Sequence, residues 1–225
     1  MNYFITLVLL ICSFMPGYRQ QDQEPVALDW TKHRLVAHAF GGIDGYTYTN
    51  SKEAFLANYS KGHRLFEIDL SLTSDDRLVL RHDWSLKFTE GMQQVPPDDT
   101  GNAWSYDYFA RQKIFQKYTP TDIEQVMQWM KQYPDMYIVT DTKQYESDLV
   151  RRHFQMIAAA ADYDASILKR VIPQIYTEQM LDDVQSVFDF PDIIYTLYLS
   201  KDSQEEVIDF VRAKSIKVVT MPAER

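Results

Sequence analysis

Cysteine is almost missing from this chain: Cys12 is the one instance in 225 residues. No disulfide can form within the chain, and no cysteine-rich zinc site exists. Positive charge is in deficit too. Lys and Arg number 23 against 32 Asp and Glu, for a formal net charge of −9. Such a surface repels polyanions, which argues against nucleic acid as a partner. A small phosphorylated substrate stays compatible if one pocket is locally cationic. The N-terminal apolar run, YFITLVLLICSFM from Tyr3 to Met15, is too short to span a bilayer comfortably. It fits the apolar core of a secretory signal, although no Lys or Arg precedes it and no A-x-A site follows. Ile11 occupies the position where a lipoprotein cysteine at 12 would want a small residue. We expect residues 1–24 to form a signal-like or membrane-tethering segment with a polar linker. The protein is then exported, extracytoplasmic or membrane-tethered; the alternative is a buried N-terminal strand or helix.

What is present is ordinary for a globular domain, with 45% hydrophobic and 24% charged residues. Residues 25–225 suit one large domain with a proper core. Seven strands are expected: 34–39, 65–72, 78–83, 136–143, 170–176, 192–199 and 216–221. Their β-branched and aromatic content, without strict alternation, suits strands buried on both faces. Helices lie between them. Asn50 with Glu53, Thr121 with Glu124, and Ser203 with Glu206 can each form a capping box. Ile123, Val126, Met127 and Met130 make one apolar stripe, as do Met180, Leu181, Val184 and Phe188. Strand and helix in alternation predict a parallel sheet, and seven strands in this rhythm favour an α/β fold of the (β/α)8 barrel type over the alternative, an open doubly wound sheet. Ser71–Arg77 is too short for a crossover helix, so an extended return across the barrel is expected there. The chain reaches Arg225 just after the seventh strand, so the barrel is expected to be incomplete at its C-terminus. Residues 84–119 have no period and eight aromatics among them, Trp84 and Trp104 included. That composition predicts an ordered insertion, a lid over the strand ends.

Candidate chemistry gathers at strand ends. Glu67 and Asp69 are two apart on one strand, so both carboxylates point to the same side. Phe66, Ile68 and Leu70 make the surroundings apolar, where two acids are costly without a cation. A hard divalent ion with oxygen ligands is the economical explanation, and two solvated acids at a strand edge the plainer one. His38 and His82 each close a short apolar run, where they could divide general base and general acid duties. Asp141 and Lys143 share a side of the fourth strand, suited to completing a metal site and meeting a phosphate oxygen. A simple surface ion pair is the alternative. His33, His63 and His153 sit in polar or helical settings and read as bystanders.

The segments HAFGG, TNSKEAF and GHRLFEIDLSLTSDDRLVLRHD together resemble the glycerophosphodiester phosphodiesterases. That family's pattern runs H-R-G, E-N-T-x-x-A-F and G-x-x-x-x-E-x-D-x-x-x-T-x-D-G-x-x-V-x-x-H-D. The related phosphatidylinositol phospholipase C group is similar too. The resemblance implies a TIM barrel that hydrolyses phosphodiesters with a divalent metal, Ca²⁺ or Mg²⁺. It implies His38 and His82 as the acid–base pair, Glu67 and Asp69 as metal ligands, Asp141 as the third, and Lys143 near the phosphate. A small-molecule or lipid phosphodiester is the implied substrate. Departures stand beside it: Ala39 replaces the family's arginine, so Arg81 or Lys143 must meet the phosphate. Asp141 is shorter than the family's glutamate, and no eighth strand precedes Arg225. Loss of turnover with a retained binding role, or a phospholipase acting on lipid, are the alternatives.

Overall fold

The computed structural model describes residues 30–221; the signal-like segment expected over residues 1–24 lies outside them. Six strands are found among the described residues: β1 (Leu65–Leu72), β2 (Leu78–Leu80), β3 (Tyr137–Thr142), β4 (Val171–Ile175), β5 (Ile194–Thr196) and β6 (Val218–Thr220). They form one sheet of order β2-β1-β3-β4-β5-β6. β1 and β3 to β6 pair in parallel. The helices are α1 (Lys52–Ser60), α2 (Leu86–Gly91), α3 (Tyr106–Arg111), α4 (Ile123–Gln132), α5 (Ser147–Ala160), α6 (Ala165–Leu168), α7 (Glu178–Gln185) and α8 (Gln204–Ala213). The result is an open, incomplete TIM-barrel-like α/β fold.

Three expectations need correction. The run 34–39 is not a strand. Only Ala37 pairs, its N–H donating to Leu65 and its carbonyl accepting from Glu67. Leu35 and Val36, which pair with no strand, are 69% and 47% exposed, and after Ala37 the chain enters a 3-10 turn at His38–Phe40. The expected crossing return after β1 is a hairpin: Thr73 N–H reaches Arg77 O, and β2 runs antiparallel with Leu70 opposite Leu80. Two caps shift by one residue. Ser51 caps α1 and Asp122 caps α4, each accepting a backbone N–H from three residues on. Asn50, Glu53 and Glu124 are bonded elsewhere. The box at Ser203 and Glu206 forms as expected.

Alternation along the strands divides the residues between two layers. Phe66, Ile68, Leu70, Ile138 and Val171 face the helices, meeting Val126, Met127 and Met130 of α4 and Val150, Phe154 and Ile157 of α5. Each such side chain contributes ~1.5–3 kcal/mol when buried. On the other face, Leu65, Tyr137, Val139, Ile172 and Ile194 pack with Trp30. That cluster closes the N-terminal ends of the strands and leaves the C-terminal ends to polar residues. The 84–119 segment packs against the edge strand. Trp104 and Phe109 bury against Val79 of β2, with Trp84, Tyr106 and Tyr108 around them. It forms a satellite core beside the edge strand, whose outer side is covered by Thr121 and Asp122.

His153 is fully buried on α5, and neither ring nitrogen has a partner. Burial, and then the charge of Arg152, pulls its pKa down to about 4. An unfolded histidine binds its proton near 6.5, so between there and about 4 the unfolded state holds the extra proton. Stability therefore falls as pH drops through that window, by on the order of 3 kcal/mol. His153→Leu should flatten this part of the pH–stability profile in denaturant unfolding; an unchanged slope would refute the assignment.

Candidate active site

Parallel register brings the acids together. Asp69 lies opposite Asp141 across β1 and β3, and Glu67 is two residues earlier on the same face. One oxygen from each of Glu67, Asp69 and Asp141 lies within 4.8 Å of the others. Asp69 is fully buried, and Glu67 and Asp141 nearly so. Each is anchored by the protein at one oxygen. Ala39 N–H donates to Glu67 Oε2 at 2.8 Å, and Asn50 Nδ2 to Asp69 Oδ2 at 2.7 Å. Tyr176 donates its hydroxyl to Asp141 Oδ1 at 2.7 Å and itself accepts from Gln174. Lys143 Nζ bridges the pair, 2.7 Å from Asp69 Oδ1 and 2.5 Å from Asp141 Oδ2. Glu67 Oε1 is buried with no hydrogen-bond partner.

The electrostatics follow from that crowding. Burial, then the charges of Asp69 and Asp141, push Glu67 up to about 8 against the opposing Ala39 N–H and Lys143. Burial works against the Lys143 ammonium, yet the two aspartates overcome it and raise its pKa. A cluster this rich in oxygen, anchored on its outer side and with an orphaned inner oxygen, fits a hard divalent cation.

The loop that supplies two of these anchors, Ala39 and Asn50, is strained. Ala39, Phe40, Asp44, Tyr48 and Asn50 all have positive φ, a conformation that costs about 1–3 kcal/mol for such residues and collects at functional sites. Gly41, at φ +86°, admits no side chain: a Cβ would come within 2.7 Å of the Asn58 amide. That amide holds the turn shut through the carbonyls of Phe40 and Gly42.

His38 extends from this loop, with Nε2 3.8 Å from Glu67 Oε2 and its side chain 52% exposed. His82 follows β2, and its Nδ1 is 3.0 Å from Asp83 Oδ2. With the proton assigned to Nδ1, that bond leaves Nε2 as an acceptor. Asp83 is partly buried, but Ser85 and His82 hold its pKa below the usual carboxylate range. The His38 ring meets Tyr48 at 4.7 Å and the His82 ring meets it at 6.0 Å, both edge-on. The structure thus brings His38 to Glu67, Lys143 to Asp69 and Asp141, and both imidazoles to one tyrosine. Asn50, Tyr48, Tyr176 and Asp83 were not foreseen as site residues. Signals existed for two of them: Asp83 adjoins His82, and Tyr176 falls two after Gln174 on one strand face.

Arg81 is a correction. It is 3% exposed and directed into the 84–104 segment instead of toward the acids. Nε donates to Asp83 O, Nη1 to Gln94 Oε1 and Nη2 to Thr89 Oγ1. Its guanidinium also lies over Trp84 and Trp104. Those contacts leave Lys143 as the candidate for meeting a phosphate. Ala39, where the resembling family has arginine, is wholly buried and offers only its N–H.

Known proteins resemble this chain in sequence pattern and in fold. The model of the Glycerophosphoryl diester phosphodiesterase family matches residues 41–172, more than half of the chain. The match contains Glu67, Asp69, His82, Asp141 and Lys143, and begins three residues after His38. No curated protein matches. Solved structures share the fold. A glycerophosphodiester phosphodiesterase from Parabacteroides distasonis is 14% identical with a TM-score of 0.61, over 83% of this chain and 71% of that one. One from Thermotoga maritima is 18% identical at 0.57, over 78% and 68%. A phosphodiesterase from Oleispira antarctica, in complex with the product sn-glycerol-3-phosphate, is 14% identical at 0.52, over 84% and 83%.

If Arg81 is a clamp, Arg81→Met leaves Gln94 and Thr89 without their buried partner and should lower stability by about 2–4 kcal/mol. Denaturant unfolding would read this, with faster proteolysis within 84–118; wild-type stability would contradict it.

Proposed function

Because the chain belongs to the glycerophosphoryl diester phosphodiesterase family, a family of phosphoric diester hydrolases, we propose that it hydrolyses a glycerophosphodiester using His38 and His82 as its proton-transfer pair. The observation that carries this reading is the acid cluster: three carboxylates within 4.8 Å, one buried oxygen unpartnered, and a histidine 3.8 Å from Glu67. Glu67, Asp69 and Asp141 would hold the divalent ion, Ca²⁺ or Mg²⁺. When bound, it supplies a Lewis acid that draws charge from a non-bridging phosphoryl oxygen.

The chain's own groups account for the rest. Asp83 orients His82 so that Nε2 takes the proton from the attacking hydroxyl or water. His38, across Tyr48, donates to the departing alkoxide. Lys143 presents its ammonium to a phosphate oxygen, the duty left open by Ala39. Asn50, Tyr176 and the Ala39 N–H hold the carboxylates in place, so little reorganisation is needed during the reaction. The apolar run Tyr3–Met15 belongs to the proposal as the means of export or membrane tethering. A barrel that binds without turnover is the second reading, favoured by Ala39.

His82→Ala should lower kcat by ~10²–10⁴-fold with the fold retained, in an assay for glycerol phosphate released from a glycerophosphodiester. EDTA should abolish release. A divalent cation should raise the Tm of the wild type and not of Asp69→Ala. A thermal shift without any release would select the binding barrel, and full activity of His82→Ala would overturn the histidine assignment.

A further inference from the structure

At the opposite end of the strands from the acids lies a basic patch. Lys32, His33, Arg34, Lys61, His63 and Arg64 line a shallow depression of about 300 Å³, and no carboxylate lines it. That composition is out of keeping with a chain of net charge −9. Arg64 is committed, with Nε 2.5 Å from Asp135 and its guanidinium over Tyr59. Lys32, Arg34 and Lys61 are exposed and make no ion pair among the described residues. Asp44, the acid that senses Lys61, is itself bonded to Lys117 and Tyr118. Beside the cations stand Leu35 and Val36, 69% and 47% exposed. These are the two apolar side chains that an ordinary first strand would have buried.

Cations flanking exposed aliphatic side chains are the signature of a surface that sits at a bilayer. We propose that this face docks on an anionic membrane, with Lys32, Arg34 and Lys61 over headgroup phosphates and Leu35 and Val36 entering the acyl boundary. The depression is too shallow and too open to hold one small anion, and the apolar pair has no use for one.

Orientation follows. Arg64 immediately precedes β1 and Asp69 is five residues along it, roughly 16 Å at ~3.3 Å per residue. With the basic end on the bilayer, the acid cluster looks away from it, toward water. If the phosphodiesterase reading holds, the substrate is a water-soluble headgroup diester, and the lipids of the supporting bilayer are not cleaved.

The test uses the full chain with phosphatidylcholine vesicles, with and without phosphatidylglycerol, in a sedimentation assay. Retention is expected to be stronger on the anionic vesicles than on the neutral ones, and the excess to be released by high salt. It should weaken roughly fivefold for each cation neutralised, hence severely in Lys32→Glu/Arg34→Glu/Lys61→Glu, and measurably in Leu35→Ser/Val36→Ser. Equal retention on neutral vesicles, no retention on either, an unaffected triple variant, or displacement by inorganic phosphate would each overturn the proposal. The triple variant should hydrolyse a soluble diester at the wild-type rate, and His82→Ala should bind vesicles normally, so the docking face and the catalytic reading fail separately.

Discussion

Two parallel strands in register set carboxylates side by side in a place that water scarcely reaches. Asp69 and Asp141 are partners across β1 and β3, with Glu67 on the same face. Like charges so paired repel, and burial raises the cost further. The surrounding structure depends on how that repulsion is met. Lys143 lies between the aspartates, and Asn50, Tyr176 and the Ala39 N–H each fix one oxygen. What is least met lies at Glu67, whose Oε1 has no partner and whose pKa is raised by burial and by the neighbouring aspartates. A site bonded at its rim and short of a partner toward its centre fits the hard cation proposed for it.

Such a site needs rigid support, and the supports are separate from the chemistry. The strained loop holding Ala39, Tyr48 and Asn50 is pressed onto the 112–119 stretch. There Tyr46 stacks on Phe115 at 3.9 Å and Tyr118 bonds Asp44. Arg81 fastens the neighbouring 84–104 segment, on which Phe88 stacks against the His82 ring. Both histidines therefore hang from one packed unit on the β2 side of the sheet, while Lys143, Asp141 and Tyr176 come from the β3–β4 side. The inner apolar plug around Trp30 closes the other end of the strands from within.

Much of this was legible in the chain. Glu67 and Asp69 share a face because a strand alternates with period two, whatever the fold. The stripe of α4, the box at Ser203 and the end-of-strand positions of His82 and Asp141 are equally local. The 34–39 run misled because hydrophobicity does not say whether a partner strand is present, and beyond Ala37 there is none. Arg81 misled because a cation beside a histidine has the same sequence whether it points to substrate or into a pocket of tryptophans. Asn50 read as a helix cap, since Asn and Ser at adjacent positions are interchangeable in that role until the backbone chooses.

Sequence alone determined the inventory: acids two apart on a strand, His82 just past another, an excess of negative charge, and the alternation of strands and helices from Leu65 onward. These depend on periodicities of a few residues. Only the tertiary structure decided that Asp141 would oppose Asp69, that Lys143 would lie between them, and that Tyr48 would separate the two imidazoles. It also gathered Lys32, Arg34 and Lys61 on one face. Such meetings join residues far apart in the chain, and their distances are set by strand register and loop strain, which no short window of sequence contains.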